Sequence, residues 1–417
     1  MKCVSARQLN EVLHHFYTIL HNADHPQNDL SYAPLFTDSA MKTVNENQNI
    51  PEITIDPLNN RIRRSPFWEV STKAGRDSYH LYNRMLLANT DEQDYFHLKS
   101  GVQLWDTGSQ RQVEIKGPDA HRLVQYSTPR DISKMANDQC CLIPTVDQHG
   151  CMTNDPVLTK VSENHYWLSV SDADLILFFK GVAAAKKMNT SIMEPEVSPL
   201  GIQGARADEL ATKVWGEQVL DIKFFRYKRV DVGGKFMILA RSGFSSQGGY
   251  ELYFEGTAGA EEIWDKLMNA GRDMDIKAAC PTQFERIESG LLAYGVDITP
   301  DMTPFEAGMG RWCHMEKDVG CLAWNSLREK SNPTRQIRPI EIIGEPLPRM
   351  QGPWPLTNSK GSTVGRISSS CRALGYNCNA AVGLVDSEHW NPGTNLVVTT
   401  PNGSREAIVK SKFWNRN

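Results

Sequence analysis

The sequence lacks the short signatures of several enzyme classes. Its 417 residues contain no Cys-x-x-Cys pair, no Gly-rich phosphate loop, no His-Glu-x-x-His and no Gly-x-Ser-x-Gly stretch. Zinc peptidases, P-loop nucleotide enzymes and serine hydrolases depend on those motifs, so none of these classes is indicated. We therefore expect a site that uses neither a catalytic triad nor a metal ion.

An excess of charge of one sign is also missing. The chain has 45 Lys+Arg against 49 Asp+Glu, a formal net charge of −4, and no basic tract. A nucleic-acid-binding protein usually carries a clustered positive patch, so we expect no nucleic-acid partner. The most apolar window, 173–185, contains Asp174 and Lys180 and is too short to span a bilayer, so we expect no membrane segment.

The nine cysteines are an odd number, and apart from the adjacent Cys140 and Cys141 they are scattered. This pattern favours free thiols in a reducing compartment over a disulfide framework, and we expect a cytoplasmic protein.

The first sixty residues differ from the rest. Apolar residues recur at helical spacing over 9–20, and a polar tract follows to about residue 60. We predict that 1–60 is an N-terminal extension, a helix plus a flexible tether. Two alternatives remain: a mitochondrial transit peptide, which a single early arginine and Glu11 disfavour, or a true start at Met41.

From residue 61 the pattern alternates between helical and strand segments, and we predict an α+β fold. Helices are predicted over 94–102, 119–126, 174–187, 207–214, 260–270 and 282–292, and strands over 113–115, 142–146, 157–161, 166–170, 228–232, 235–240 and 250–254. After Pro333 short β-rich pieces separated by turns dominate, namely 337–343, 363–369, 380–385, 395–399 and 405–410. We predict a boundary near residue 330 and a small antiparallel barrel over 331–417.

The stretch RSGFSSQGGYELYFE, residues 241–255, is the most informative one. Its glycines suit a loop that approaches another group closely. If 250–254 is a strand, Tyr250, Leu252 and Phe254 face the core, while Glu251 and Tyr253 share the opposite face. A carboxylate there could accept two hydrogen bonds from a planar heterocycle. The alternative is a solvated edge strand with an ordinary surface glutamate.

Several blocks resemble the aminomethyltransferase (glycine-cleavage T-protein) family, and especially its branch that demethylates dimethylsulfoniopropionate. They are RRSPFWE (63–69), YNRMLL (82–87), RQVEIKGPDA (111–120), TPRDIS (128–133), NDPVL (154–158), KFF (223–225), RSGFSSQGGYELY (241–253) and CPTQFERIESGLLAYGVD (280–297). The resemblance implies a three-domain cloverleaf: 61–330 as a folate-binding core of two intertwined domains, and the C-terminal β-barrel after it.

The resemblance also implies an activity, the transfer of a sulfonium methyl group to N5 of tetrahydrofolate as co-substrate. Folate contacts would come from Glu251, Gly248, Gly249 and Asn154. Substrate contacts would come from Tyr253, Phe244, Trp167, Tyr82 and Met85, with Arg84 and Arg241 as candidates for a substrate carboxylate. For Arg286 and Glu288 a structural ion-pair role is at least as plausible as folate contact.

Three departures from the family pattern bear on the substrate. Asn154-Asp155 stands where T-proteins carry Asp-Asp, which favours plain methyl transfer over aminomethyl chemistry and makes a lipoyl carrier protein an improbable partner. Asn154 could instead merely cap a turn. Phe244 and Leu142 replace residues with stronger π faces, so the methyl donor could differ from dimethylsulfoniopropionate. Two alternative functions stay open, a T-protein-like aminomethyltransferase and a folate-binding protein without turnover.

Overall fold

The computed structural model describes residues 61–76 and 78–415, all within one compact unit, Thr43–Asn417. The predicted N-terminal helix and tether lie outside the described residues. The described helices are α1 Trp68–Lys73, α2 Glu92–Ser100, α3 Ala120–Tyr126, α4 Leu175–Ala185, α5 Ala207–Trp215, α6 Ala260–Ala270, α7 Gln283–Ser289 and α8 Trp324–Glu329.

Strands make up most of the regular structure. In chain order they are β1 Tyr79–Tyr82, β2 Met85–Ala88, β3 Gln103–Asp106, β4 Gln112–Lys116, β5 Cys140–Leu142, β6 Thr145–Val146, β7 Met152–Asn154, β8 Val157–Ser162, β9 His165–Ser169, β10 Ser191–Met193, β11 Val197–Gln203, β12 Tyr227–Val232, β13 Lys235–Ala240, β14 Gly249–Glu255, β15 Lys277–Ala279, β16 Arg335–Ile342, β17 Trp354–Thr357, β18 Thr363–Ala373, β19 Cys378–Asp386, β20 Asn395–Thr400 and β21 Gly403–Val409.

Two large sheets, together with the two-stranded sheets β1-β2 and β6-β7, form the described part of the chain before residue 330. One has five antiparallel strands in the order β10-β4-β9-β8-β5, and its core includes side chains of α3 and α4. The other has the order β12-β13-β14-β11-β3-β15, with α5 and α6 packed on one face. The chain places β3 in the second sheet, builds the whole first sheet, and then returns at β11. The two sheets are thus interleaved along the sequence.

The predicted C-terminal barrel is confirmed. Strands β16-β19-β18-β17-β20-β21 close into a barrel in which neighbouring strands run antiparallel. Its interior is filled by alternating apolar side chains such as Ile340, Ile367, Val385 and Val398, each almost completely buried. Period-two alternation between turn residues is what made this region predictable. The domain limits at 60 and 330 remain predictions.

Two predicted elements have different bounds in the structure. The strand predicted over 142–146 is interrupted, because β5 ends at Leu142 and β6 begins only after Pro144. Proline has no N–H to donate to a sheet. The helix predicted over 282–292 ends at Ser289, since Gly290 is left-handed at φ +63 and a Cβ there would lie 2.3 Å from the Phe413 ring.

The hairpin of β1 and β2 was not predicted. Its two-residue loop, Asn83-Arg84, has positive φ at both positions, 52° and 64°, as a type I′ turn requires. Asn83 is buried and donates to the carbonyl groups of Ser109 and Val170 at 3.0 and 3.2 Å. These two bonds fix the hairpin against the turn between β3 and β4 and against the end of β9.

Candidate active site

Strand β14 lies inside the six-stranded sheet, between β13 and β11, and both of its faces are covered. Tyr250, Leu252 and Phe254 belong to the apolar core beneath α5 and α6, which confirms the predicted core face. Tyr253 belongs to a separate cluster with Trp167 and Cys140 of the five-stranded sheet. The alternative of a solvated edge strand is therefore wrong.

Glu251 occupies the centre of this second face. Its cross-strand neighbours are Gly201 on β11 and Ala240 on β13, so neither flank carries a bulky or charged side chain. The residue is partly buried, and removal of its carboxyl group from water raises its pKa, an effect that the hydroxyl of Ser242 partly opposes.

The carboxylate of Glu251 retains hydrogen-bonding capacity. Ser242 donates to Oε2, whereas within the described residues no hydrogen bond or ion pair engages Oε1. Because the Glu251 side chain is only partly buried, Oε1 remains accessible to a donor from a ligand. The paired N–H donors of an amino-pyrimidinone ring match such a carboxylate, so the residues present fit a folate.

The glycine-rich loop before β14 is held by buried polar contacts. Ser245 donates to Oε1 of Gln203 at 2.8 Å, and the Gln203 amide donates to the carbonyl groups of Ser242 and Tyr250, both at 3.0 Å. A Cβ at Gly249, where φ is +137, would lie 2.3 Å from the Ile202 carbonyl oxygen. Gly249 therefore permits close packing of the loop on β11, while Gly248 lies exposed in the turn before it.

Two aromatic rings meet beside Glu251. The Trp167 and Tyr253 rings stack with centroids 6.1 Å apart and an interplanar angle of 28°. Trp167 donates from Nε1 to Glu114 at 2.9 Å, and the Tyr253 hydroxyl lies 3.3 Å from that of Ser169. Both rings are nearly inaccessible, and burial, together with the charge of Glu251, raises the pKa of Tyr253 well above its usual value.

The end of β9 connects the Trp167 and Tyr253 rings to a second set of polar side chains, those of Asn154 and Asp155. Two residues beyond Ser169, the backbone of Ser171 donates to Oδ1 of Asn154 at 3.2 Å and accepts from Nδ2 at 3.4 Å. Asn154 is completely buried. The Ser171 hydroxyl donates to Asp155 at 3.4 Å and also bonds Tyr82. Side chains two residues apart lie on the same face of an extended chain. One face of β9 and its extension therefore carries Trp167, Ser169 and Ser171.

Other predicted residues lie elsewhere. Met85 lines a cleft of about 740 Å³ with Arg63 and Arg111, and Glu251 is not part of that cleft. Phe244 is half-buried within the glycine-rich loop. The structure thus brings Glu251, Tyr253 and Trp167 together, with Asn154 and Tyr82 joined to them through β9.

The candidate arginines are engaged in other contacts. Arg241 bonds the Tyr250 hydroxyl and Asp208, both at 2.9 Å, on the face of β14 opposite Glu251. Arg84 is exposed at the hairpin tip, 3.6 Å from Asp174.

Arg286 and Glu288 have structural partners. Arg286 forms a buried ion pair with Asp297 and donates to the Ser369 hydroxyl at 2.8 Å, which ties α7 to barrel strand β18. Glu288 accepts from the Tyr95 hydroxyl at 2.7 Å. These contacts support the structural interpretation of both residues.

Sequence reasoning passed over two residues of the site. Asp155 was named as the second residue of the Asn154-Asp155 pair but given no role of its own, although burial raises its pKa to about 7. Phe225, within KFF, has the left-handed φ of 57°, rare for a bulky residue, and packs against the Tyr253 cluster. Neither tertiary burial nor a single strained φ has a local sequence signal.

The sequence pattern of the GCVT N-terminal domain family matches residues 68–317. The chain belongs to this family. This chain is 46% identical over 357 residues to dimethylsulfoniopropionate demethylase DmdA of Ruegeria pomeroyi, with 85% of this chain and 98% of that protein covered. It is 27% identical to an aminomethyltransferase of Caldanaerobacter subterraneus subsp. tengcongensis, with 77% of this chain and 87% of that protein covered.

A solved structure has the same fold. The aminomethyltransferase T of the glycine cleavage system from Bartonella henselae superimposes with a TM-score of 0.75 at 18% identity, covering 84% of this chain and 97% of that one. The predicted family and the mixed helix-and-sheet fold are therefore confirmed.

Three further findings concern the described part of the chain. Its eight cysteines are all free, as predicted for that part of the sequence. Residues 61–76 and 78–415 contain no group of three or more His, Cys, Asp or Glu arranged to hold a metal ion. None of the described helices has the length and apolarity needed to cross a membrane.

Proposed function

We propose that this protein is a tetrahydrofolate-dependent demethylase that takes a methyl group from dimethylsulfoniopropionate and releases methylthiopropanoate. The observation that carries the proposal is the 46% identity to a dimethylsulfoniopropionate demethylase over 98% of that protein's length. The cluster around Glu251 supports it, because it provides a desolvated acceptor beside stacked aromatic rings.

Glu251 would hold the folate by accepting N–H groups of the pterin on its carboxylate. Tetrahydrofolate supplies the nucleophilic N5 that receives the methyl group. The glycine-rich loop sets the position of Ser242, and Ser242 in turn fixes the Glu251 carboxylate. Asn154, the last residue of β7, would form another wall of the same site, and the Ser171 backbone holds its side chain in place. The protein thus orients the acceptor nitrogen and excludes water.

The methyl donor is a cation, and the site offers two means of binding it. Aromatic faces attract an onium group by about 0.5–2 kcal/mol each when desolvated. Tyr82, which is half-buried, offers such a ring near Asn154 through Ser171, whereas the Tyr253 and Trp167 rings stack on each other and are nearly inaccessible. The carboxylates of Glu251 and Asp155 add negative charge, and neither forms an ion pair within the described residues. A sulfonium carries its own neutral leaving group, so alignment provides most of the catalysis.

Asn154 distinguishes methyl transfer from aminomethyl transfer. A second buried aspartate at this position would place two carboxylates side by side, whereas the amide both donates to and accepts from the Ser171 backbone. The neutral side chain supports a reaction with no aminomethyl intermediate to stabilise.

The decisive assay mixes purified protein with tetrahydrofolate and dimethylsulfoniopropionate. We expect stoichiometric 5-methyltetrahydrofolate and methylthiopropanoate, detected by chromatography. Absence of both products would exclude this donor, and parallel reactions with glycine betaine, dimethylglycine and methoxy acids would identify another. Turnover that requires a lipoyl carrier protein would instead favour the aminomethyltransferase alternative.

A further inference from the structure

Asp155 is a carboxylate without a cation. Within the described residues it forms no ion pair, and its hydrogen bond from another residue comes from the Ser171 hydroxyl at 3.4 Å. Burial raises its pKa to about 7, against an ordinary value near 3.9. Desolvation of such a group costs stability, and among the described residues the Ser171 hydroxyl and the Asp155 backbone N–H offset only part of that cost.

The groups facing Asp155 do not supply a positive charge. Tyr82 approaches from the end of β1, and Tyr294 and Asp297 from the segment after α7. The Tyr294 hydroxyl donates to the Met152 carbonyl at 3.2 Å, and Asp297 is neutralised by Arg286. Of the two carboxylates among these residues, Asp297 is paired with Arg286, whereas Asp155 forms no ion pair within the described residues.

Asp155 lies beside the residues assigned to the methyl-transfer site. Asn154 precedes it directly, and Ser171 contacts both residues. Ser171 lies two residues beyond Ser169, which contacts Tyr253, the neighbour of Glu251 on β14. At about 3.3 Å per residue of extended chain, Ser169, which contacts Tyr253, and Ser171, which contacts Asp155, are about 7 Å apart along β9 and its extension. One small heterocycle could therefore reach both.

We propose that Asp155 is the proton acceptor of the methyl transfer, an inference that rests on the proposed function. The N5 lone pair forms the new bond to the methyl carbon, and the carbon–sulfur bond breaks with its electron pair passing to sulfur. Sulfur becomes a neutral thioether, and N5 carries an extra positive charge. The Asp155 carboxylate then takes the N5 proton, leaving neutral 5-methyltetrahydrofolate and a carboxylic acid that returns the proton to solvent.

A general base is most effective when its pKa is close to the working pH, which explains why an unpaired, desolvated carboxylate is suited to this position. An ordinary surface aspartate would be too weak a base at neutral pH. Glu251 is suited to a different task, because its carboxylate must stay ionised to hold the pterin. The two carboxylates thus divide binding and proton transfer between them.

The first test is the pH dependence of turnover in Asp155→Asn. For the wild type we expect kcat to fall tenfold per pH unit below about pH 7. For D155N we expect kcat reduced by about 100-fold or more, the acid limb lost, and tetrahydrofolate affinity within twofold of wild type. Asp155→Glu should recover part of the rate and restore an acid limb. The exposed neighbour Asp172 provides the control, since D172N should behave as wild type.

The second test does not depend on activity. Because the folded-state pKa of Asp155 lies above the unfolded value, the native state binds more protons between about pH 4 and pH 7, and the stability of the wild type falls as pH rises through that window. D155N should therefore be more stable than wild type at pH 8, with the gap closing near pH 4, as measured by urea denaturation.

The outcomes distinguish a failure of the Asp155 role from a failure of the proposed demethylase function. Active wild type with an unchanged acid limb in D155N would overturn the role of Asp155 alone, as would a stability gap that does not change with pH. Wild type that forms no 5-methyltetrahydrofolate with any donor would overturn the proposed function, and the proton-acceptor role with it.

Discussion

The two faces of β14 are both buried, yet they differ in chemistry. Tyr250, Leu252 and Phe254 point into an apolar core beneath α5 and α6. Glu251 and Tyr253 point toward the five-stranded sheet, where a desolvated carboxylate, a phenol and an indole meet. A strand buried on both faces is usually apolar on both. The polar face of β14 departs from that pattern, and the proposed function assigns ligand binding to it.

The largest expected effect concerns the apolar face. Phe254→Ala should lower the free energy of unfolding by about 3–5 kcal/mol, because it opens a cavity in a completely buried position. Urea denaturation measures this loss. Tetrahydrofolate affinity of the folded fraction should stay close to that of wild type. A loss of affinity without a loss of stability would contradict the division between the faces.

On the polar face, Glu251→Ala should weaken tetrahydrofolate binding by about 2–3 kcal/mol, because it removes a buried hydrogen-bonded charge partner. Titration calorimetry measures the change. Glu255→Ala is the matched control, a half-buried glutamate on the same face of the same strand, and should leave affinity unchanged. Equal effects of the two variants would count against Glu251.

The pH dependence of folate affinity tests the same residue. Burial raises the pKa of Glu251, and only the ionised form accepts both pterin N–H groups. Affinity should therefore fall as pH decreases through that raised pKa, and the Glu251→Ala variant should lack this fall. A wild-type affinity that stays constant as the pH is lowered until Glu251 is fully protonated would contradict the assignment.

Asn154→Asp tests whether a neutral side chain is needed between the Ser171 backbone and Asp155. The new carboxylate cannot donate to the Ser171 carbonyl and would stand beside Asp155, so stability should fall by about 1–3 kcal/mol at pH 8. The loss should be smaller at pH 5, where Asp155 is protonated. Differential scanning calorimetry at both pH values checks this expectation.

The smallest effect is expected for Trp167→Phe. It removes the Nε1 bond to Glu114 but retains a ring against Tyr253, so stability should fall by about 1 kcal/mol. Turnover should be affected more than stability if the indole face binds the methyl donor. Unchanged kcat/KM would remove Trp167 from the substrate site.

The contrast between the faces also shows what the sequence can predict. Period-two alternation placed Leu252 in the core and Glu251 opposite it, and the same rule identified the C-terminal barrel. It could not reveal that the opposite face is covered by Trp167, because that contact joins strands of different sheets. The Asn83-Arg84 turn was missed because arginine carries no signal for positive φ.

The glycines show a similar limit. Their positions correctly indicated close approach, but at Gly249 the neighbour is the Ile202 carbonyl of the protein itself. Sequence alone could not distinguish a backbone neighbour from a ligand. Asp155 was overlooked because its pKa depends on burial and on the absence of a cation, both of which are tertiary properties.

A crystal structure with bound tetrahydrofolate would show directly whether Glu251 holds the pterin. We expect the pterin N–H groups to donate to the Glu251 carboxylate, with the ring between the glycine-rich loop and β9. A pteridine seated instead in the 740 Å³ cleft beside Arg63 and Arg111, with Glu251 bonded to Ser242 alone, would contradict it.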